Sequence, residues 1–276
     1  MPPLTTLCHR LCCMILAGAA VSGCATEWQR QAASTTKPAT WQLHSQRSST
    51  VPVQGMVPIE ADDLRAGDIL FSAEKSFNSV GIRLFNQASV SHAFVYLGDG
   101  QIAEAVGSGV HIQPLAQATR HSTVLAAYRH PQLTPEAVVK IRQFAHNLDG
   151  SRYNFSGIAK QAPYSLTRKA CELPVIPRAV RHLCMNSLAL VQVTPFSSQR
   201  YFCSQFVIEA FNRAGTSLTE TKPEWVSPGD ILHLREGDVA AVTPMTRLVY
   251  VGHLRCSESL WNSTCRLAPQ PGPQAA

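Results

Sequence analysis

A cysteine, a histidine and a glutamate in this chain could together perform the chemistry of a cysteine hydrolase. Cys203 opens a segment with helical periodicity, His92 lies in the strand-like run SHAFVYL, and Glu104 lies in the following strand-like segment. In such enzymes a thiolate attacks a carbonyl carbon, an imidazole carries the proton, and a carboxylate fixes the imidazole tautomer. The residue types therefore predict a triad with Cys203 as nucleophile, His92 as base and Glu104 as the orienting group.

The start of a helix suits a nucleophilic cysteine. Unpaired N–H groups and the dipole at a helix N-terminus stabilise a thiolate, and the backbone N–H of Cys203 could donate to an oxyanion. Tyr153 and Gln205 are further candidates to bind the substrate or the oxyanion. Taken singly, Cys203 could be a small buried hydrophobe, His92 a core histidine and Glu104 an exposed strand residue.

The connection between the two strands decides whether His92 and Glu104 can meet. A three-residue loop over 98–100 pairs Leu97 with Gln101. Side chains alternate along a strand, so this register makes His92 and Glu104 diagonal neighbours on one face. A two-residue loop would place them on opposite faces.

The remaining pattern predicts an α+β fold, with an antiparallel sheet or half-barrel packed against helices. Strands are expected to begin at residue 69 and to cover about 91–97, 101–106, 109–114, 123–129 and 247–254. Helices are expected at 77–88, after Thr134 as N-cap and up to Gly150, and from Cys203 to Gly215. A turn at 227–230 leads into 231–234, and prolines indicate an insertion of short helices over about 155–200.

The N-terminus has the features of an export signal. Arg10 precedes an apolar stretch over 11–21, which is too short to span a bilayer comfortably, and the run VSGC resembles a lipobox ending at Cys24. The alternative is an ordinary secretory signal with a chance cysteine. We expect a signal peptide at 1–23, acylation of Cys24, a flexible tether at 24–57 and a catalytic domain at 58–276.

The cysteine count fits an exported protein. Three cysteines lie in the predicted signal and Cys24 would carry lipid, which leaves five for the mature domain. An oxidising compartment favours disulfides, and an odd number leaves one thiol free. The economical assignment keeps Cys203 free and pairs Cys171 with Cys184 and Cys256 with Cys265.

Composition argues against several other classes of protein. The chain has 276 residues and a net charge of +6 without a basic block, so nucleic-acid binding is not expected. The histidines have no metal-ligand spacing, and no glycine-rich phosphate loop precedes a helix. We therefore expect no metal and no cofactor.

Several motifs together resemble the circularly permuted NlpC-like papain superfamily, and most nearly its YaeF/YiiX branch of lipoprotein hydrolases. The resemblance covers about residues 60–255 and rests on GDILF, SHA, YLG, AEA and FCSQFV, together with the lipobox and the cysteines at 171 and 184. In the usual papain-type order the cysteine comes first, whereas here the order is His92, Glu104, Cys203. The resemblance implies a thiol peptidase or amidase with these three residues in the roles given above, and a location in the cell envelope.

The expected function is thus an envelope thiol hydrolase anchored to a membrane by an N-terminal lipid. Its substrate would be a peptide, peptidoglycan or another peptide-linked envelope component. Ala25 after Cys24, instead of Asp, favours the outer membrane over the inner, by resemblance to Gram-negative lipoproteins. Two alternatives remain: a thiol acyltransferase or lipid hydrolase acting on acyl lipids, and a catalytically silent binding module.

Overall fold

The computed structural model describes residues 25–31, 38–74, 89–151, 203–257 and 265. Its strands are β1 (Thr26–Gln31), β2 (Thr40–Ser45), β3 (Ile69–Glu74), β4 (His92–Gly98), β5 (Gln101–Val106), β6 (Gly109–Pro114), β7 (Ser122–Arg129) and β8 (Val249–Cys256). Its α-helices are α1 (Leu115–Ala118), α2 (Pro135–Leu148), α3 (Cys203–Ala214) and α4 (Pro228–Leu232), and short 3-10 helices cover Ala61–Asp63 and Pro223–Trp225. The predicted helix at 77–88 and the predicted insertion at 155–200 lie outside the described residues.

Six strands form one antiparallel sheet in the order β6-β5-β4-β3-β7-β8. Strands β3 to β6 follow one another as a meander, and β7 returns to pair with the other side of β3. The described part of the chain is therefore α+β, as the sequence predicts. The predicted strands at 91–97, 101–106, 109–114 and 123–129 agree with β4 to β7 to within one residue at either end.

Helices α2 and α3 cover one face of the sheet. The alternating residues Ala93, Val95 and Leu97 of β4 belong to the same buried cluster as Phe206 and Phe211 of α3. Both helices end as expected, because Gly150 and Gly215 follow with φ of 79° and 78°, a conformation that favours glycine. The other face carries a second cluster that includes Phe94 and Tyr96.

The end of the segment predicted to be a tether is folded onto the domain. Thr50 is fully buried; its hydroxyl bonds to His253 Nε2 at 2.9 Å, and its carbonyl accepts from Tyr128 at 2.6 Å. The Arg235 guanidinium donates to the carbonyls of Arg47 and Ser49, each at 2.6 Å. The folded region therefore begins before residue 58. The polar composition of this segment predicts a tether, whereas the contacts that fold it onto the domain come from residues distant in sequence.

The predicted turn at 227–230 is the beginning of helix α4. The Ser227 hydroxyl accepts from the Asp230 backbone N–H at 3.1 Å, while the Asp230 carboxylate accepts from the Ser227 backbone N–H at 2.8 Å. Pro228 occupies the first helical position, where its missing N–H costs nothing. The motif is a capping box, and its Ser-Pro-Gly-Asp sequence is equally typical of a turn.

Two further observations concern the cysteines and the helices. A disulfide joins Cys256 at the end of β8 to Cys265, as the cysteine count predicts, and Cys203 is a free thiol. Cys171 and Cys184 lie outside the described residues. None of the helices in the described ranges has both the length and the apolar character needed to cross a bilayer.

Candidate functional site

His92 and Glu104 form a short hydrogen-bonded pair. His92 Nε2 donates to Glu104 Oε2 at 2.5 Å, and the side chains are 22% and 5% exposed, respectively. The His92 ring also lies 5.3 Å from the Phe94 ring, measured between centroids, which fits two side chains on the same face of β4. The imidazole is thus held on one side by a carboxylate and retains limited access to solvent.

The β4–β5 connection has the predicted register near His92, but its turn is shorter than predicted. Gly98 pairs with Gln101, so the turn has two residues, Asp99 and Gly100, with φ of 53° and 70°. Both positive values are typical of a tight hairpin turn, which Asp-Gly favours. The predicted three-residue loop is therefore wrong.

A two-residue turn alone would place His92 and Glu104 on opposite faces of the hairpin, but a β-bulge in β4 returns them to the same face. The register shifts between Tyr96 and Gly98, and beyond the shift Val95 pairs with Ala103. One extra residue on β4 reverses the alternation, as β-bulges do. His92 and Glu104 thereby lie on the same face.

Cys203 reaches this pair from the end of the sheet. Helix α3 packs on the face opposite to Phe94, but Cys203 is the first residue of the helix and His92 the first of its strand. Cys203 is 8% exposed, and its side chain interacts with that of His92. The three residues of the predicted triad are therefore neighbours, although they come from two faces of the sheet.

The electrostatics of the site favour a protonated His92. Burial by itself lowers the pKa of His92, but hydrogen bonding and charge interaction with Cys203 and Glu104 raise it to about 10. Burial likewise raises the pKa of Glu104, whereas its interactions with His92, Gln113 and His111 lower it below the ordinary value. The arrangement therefore stabilises the imidazolium form of His92.

Gln113 is a residue of this site that the sequence analysis missed. Its side-chain Nε2 donates to Glu104 Oε1, the carboxylate oxygen that His92 does not use. In the β5–β6 register Glu104 lies opposite His111 and Ile102 opposite Gln113, so Gln113 is a diagonal neighbour of Glu104. The signal was available, because the turn at 107–108 sets this pairing and alternation puts Gln113 on the Glu104 face.

Of the other predicted site residues, only Gln205 is among the described residues. Gln205 lies in the first turn of α3, partly buried, and its side-chain oxygen has no hydrogen-bond partner among the described residues. Tyr153 and Cys24 lie outside those residues. In the same part of the chain, no three His, Cys, Asp or Glu side chains come together as ligands for a metal ion.

A second histidine–carboxylate pair lies elsewhere in the domain. Asp238 Oδ2 accepts from His233 Nδ1 at 3.0 Å and from Arg235 Nε at 2.7 Å, and all three side chains are 3% exposed or less. Burial raises the pKa of Asp238, but His233 and Arg235 lower it far below the usual range. The carboxylate is thus a fixed buried anion.

Comparison with known proteins identifies the family. No family model matches the chain. It is 41% identical over 219 residues to the "Probable lipoprotein peptidase YaeF" of Escherichia coli K12, which covers 78% of this chain and 80% of that protein. The chain belongs to the YaeF-type family. Among solved structures, the crystal structure of the metalloprotein yiiX from Escherichia coli O157:H7, DUF1105, is similar with a TM-score of 0.39 and 20% identity, over 68% of this chain and 89% of that one.

Proposed function

We propose that the protein is a cell-envelope thiol peptidase or amidase that uses Cys203, His92 and Glu104. The observation that carries the proposal is the position of one imidazole between a carboxylate at 2.5 Å and a free thiol at a helix start. Glu104 occupies Nε2 of His92, which leaves Nδ1 as the ring nitrogen that can serve the thiol. An imidazole that is oriented by a carboxylate and directed at a thiol has the geometry required for nucleophilic catalysis.

The reaction follows from these positions. The Cys203 sulfur, its proton held by His92, attacks the amide carbon to form a tetrahedral oxyanion, to which the backbone N–H of Cys203 donates. The His92 imidazolium gives its proton to the leaving nitrogen, and the C–N bond breaks to leave a thioester on Cys203. Water, deprotonated by His92, then attacks the thioester and releases the acid and the thiol.

Two further lines support this class of enzyme. The printed name of the YaeF relative describes a probable peptidase and a lipoprotein. The order His92, Glu104, Cys203 along the chain, with a helix-opening cysteine against an antiparallel sheet, fits a circularly permuted papain-like fold. Tyr153 and Gln205 are proposed to contribute to substrate or oxyanion binding.

The proposal includes a lipid anchor. Cys24, at the end of the VSGC run, would be acylated after removal of residues 1–23, and Ala25 favours the outer membrane. The mature domain would then face the periplasm at a membrane surface, where peptidoglycan and peptide-linked envelope components are accessible.

Incubation of the purified protein with peptidoglycan fragments and with phospholipids, followed by mass spectrometry, tests the function. We expect cleavage of an amide bond in the peptide-bearing samples and none with Cys203→Ala. Cleavage confined to acyl lipids would instead favour the lipid hydrolase or acyltransferase. Absence of turnover in both samples, with a folded and reduced enzyme, would favour a silent binding module.

A further inference from the structure

The β1–β2 ribbon carries an uncovered apolar face. Trp28 pairs with Leu43 and Arg30 pairs with Trp41, so the four side chains share one face by alternation. Trp28, Leu43 and Trp41 are 58%, 50% and 64% exposed. Three large apolar side chains on one short ribbon are more than scattered surface residues and indicate an interaction site.

The opposite face of the same ribbon is polar. Glu27 pairs with His44 and Gln29 with Gln42. Strands β1 and β2 form a sheet of their own, separate from the six-stranded sheet. Because an isolated two-stranded ribbon is only marginally stable in water, an apolar face of this kind is expected to gain stability from a partner.

The base of the ribbon lies directly beside the proposed lipid anchor. Ala25 is fully buried against Val239 and Ala241, and its backbone N–H and carbonyl both bond to Gln46. Cys24 immediately precedes it in the sequence. Trp28 is four residues from Cys24, so at most about 14 Å of chain separates it from an acylated cysteine.

We infer that the Trp28–Leu43–Trp41 face inserts into the interfacial region of a phospholipid bilayer. The inference rests on the lipid anchor in the proposed function. Tryptophan is enriched at the membrane–water interface, where its ring is buried and its N–H stays near the headgroups. Arg30 on the same face adds attraction to anionic lipids.

Such insertion gives the ribbon a role that a free tether lacks. An acyl chain alone allows the domain to rotate about a flexible link. A ribbon that is fixed to the domain at Ala25 and to the bilayer by its apolar face instead holds the domain in one orientation. The Cys203–His92 site would then have a defined direction relative to the membrane.

Tryptophan quenching in the lipidated full-length protein tests the inference. The protein, carrying Trp261→Phe, is reconstituted in phosphatidylethanolamine–phosphatidylglycerol vesicles with brominated acyl chains, with buried Trp225 as an internal reference. We expect emission about twofold lower than in unbrominated vesicles, since interfacial indoles contact the upper acyl chains. Leu43→Asp should relieve most of the quenching, whereas Gln42→Asp on the polar face should not.

The outcomes separate the inference from the proposed function on which it rests. Protein that floats with the vesicles but shows equal emission in both lipids would overturn the insertion and leave the lipid anchor intact. Equal quenching in Leu43→Asp and Gln42→Asp would also overturn it. Protein that does not float with the vesicles would refute the lipid anchor, and the insertion with it.

Discussion

The described part of the domain contains two histidine–carboxylate pairs, and they differ in the partner that completes each one. His92–Glu104 lies at the end of a strand, with 22% of the imidazole side chain exposed and a free thiol beside it. His233–Asp238 is almost completely buried and is completed by the Arg235 guanidinium. An imidazolium can pass its proton to a leaving group, whereas an arginine guanidinium stays protonated throughout catalysis. The first pair can therefore exchange protons with a substrate, whereas the second holds a permanent charge and connects parts of the fold.

The largest difference between the pairs is expected in catalysis. His92→Ala should lower kcat/KM for the amide substrate found in the screen about 10²- to 10⁴-fold, because the proton carrier is lost. His233→Ala is the matched control and should keep kcat/KM within a few-fold of wild type at a temperature where it is folded. Similar losses in both variants would remove the distinction between the pairs.

For the free energy of unfolding, we expect the His233–Asp238 pair to matter more than the His92–Glu104 pair. Asp238→Asn leaves the buried Arg235 charge uncompensated and should lower the free energy of unfolding by about 3–5 kcal/mol, measured by urea denaturation. Glu104→Gln should cost only about 1 kcal/mol, because His92 can become neutral when its partner loses its charge. A larger cost for Glu104→Gln than for Asp238→Asn would contradict this assignment.

The orienting residues should have graded effects on rate. Glu104→Gln should lower kcat about 10- to 100-fold, less than His92→Ala, because the imidazole remains but its tautomer is no longer fixed. Gln113→Leu removes a hydrogen bond to Glu104 and changes neither His92 nor Cys203. It should therefore lower kcat by roughly a few-fold. Steady-state kinetics of both variants check the order, and a greater loss in Gln113→Leu would refute it.

A further difference is expected in the pH dependence of stability. The folded pKa of His92, about 10, exceeds its ordinary value of 6.5, so its contribution is fully present below pH 6.5 and is lost as the pH rises through 10. The lowered pKa values of Glu104 and Asp238 act at the acidic end, where stability falls with pH. The free energy of unfolding, measured at about pH 7 and about pH 9.5, should therefore decrease less between these two values in His92→Gln than in wild type. An identical fall in both would contradict the raised pKa.

The sequence predicted the strands and the two long described helices because their signals are local. Thr134 and Pro135 mark a helix start, and alternating apolar residues mark β4 and β5. It also predicted that His92 and Glu104 share a face. It did so through the wrong loop length, because a bulge near Leu97 depends on pairing that no local pattern reveals.

The error in the tether has its physical cause in distant contacts. Residues 47–50 read as a tether, yet Arg235 and Tyr128 supply the bonds that hold them to the domain. Gln113 is a different case, because the hairpin turn at 107–108 and strand alternation already place it on the Glu104 face, and only its bond to that carboxylate shows its importance. Local sequence therefore gave the residues with reactive chemistry more readily than the residues that position them.

The most direct test of the triad is the reactivity of Cys203 toward a peptide-like electrophile at neutral pH. Intact-mass spectrometry and peptide mapping would measure the rate in folded protein, in urea-unfolded protein and in His92→Ala. We expect one adduct, on Cys203, formed at least about tenfold faster in the folded protein than after unfolding, with the advantage lost in His92→Ala. A folded Cys203 that reacts no faster than the unfolded thiol, or equally fast without His92, would contradict it.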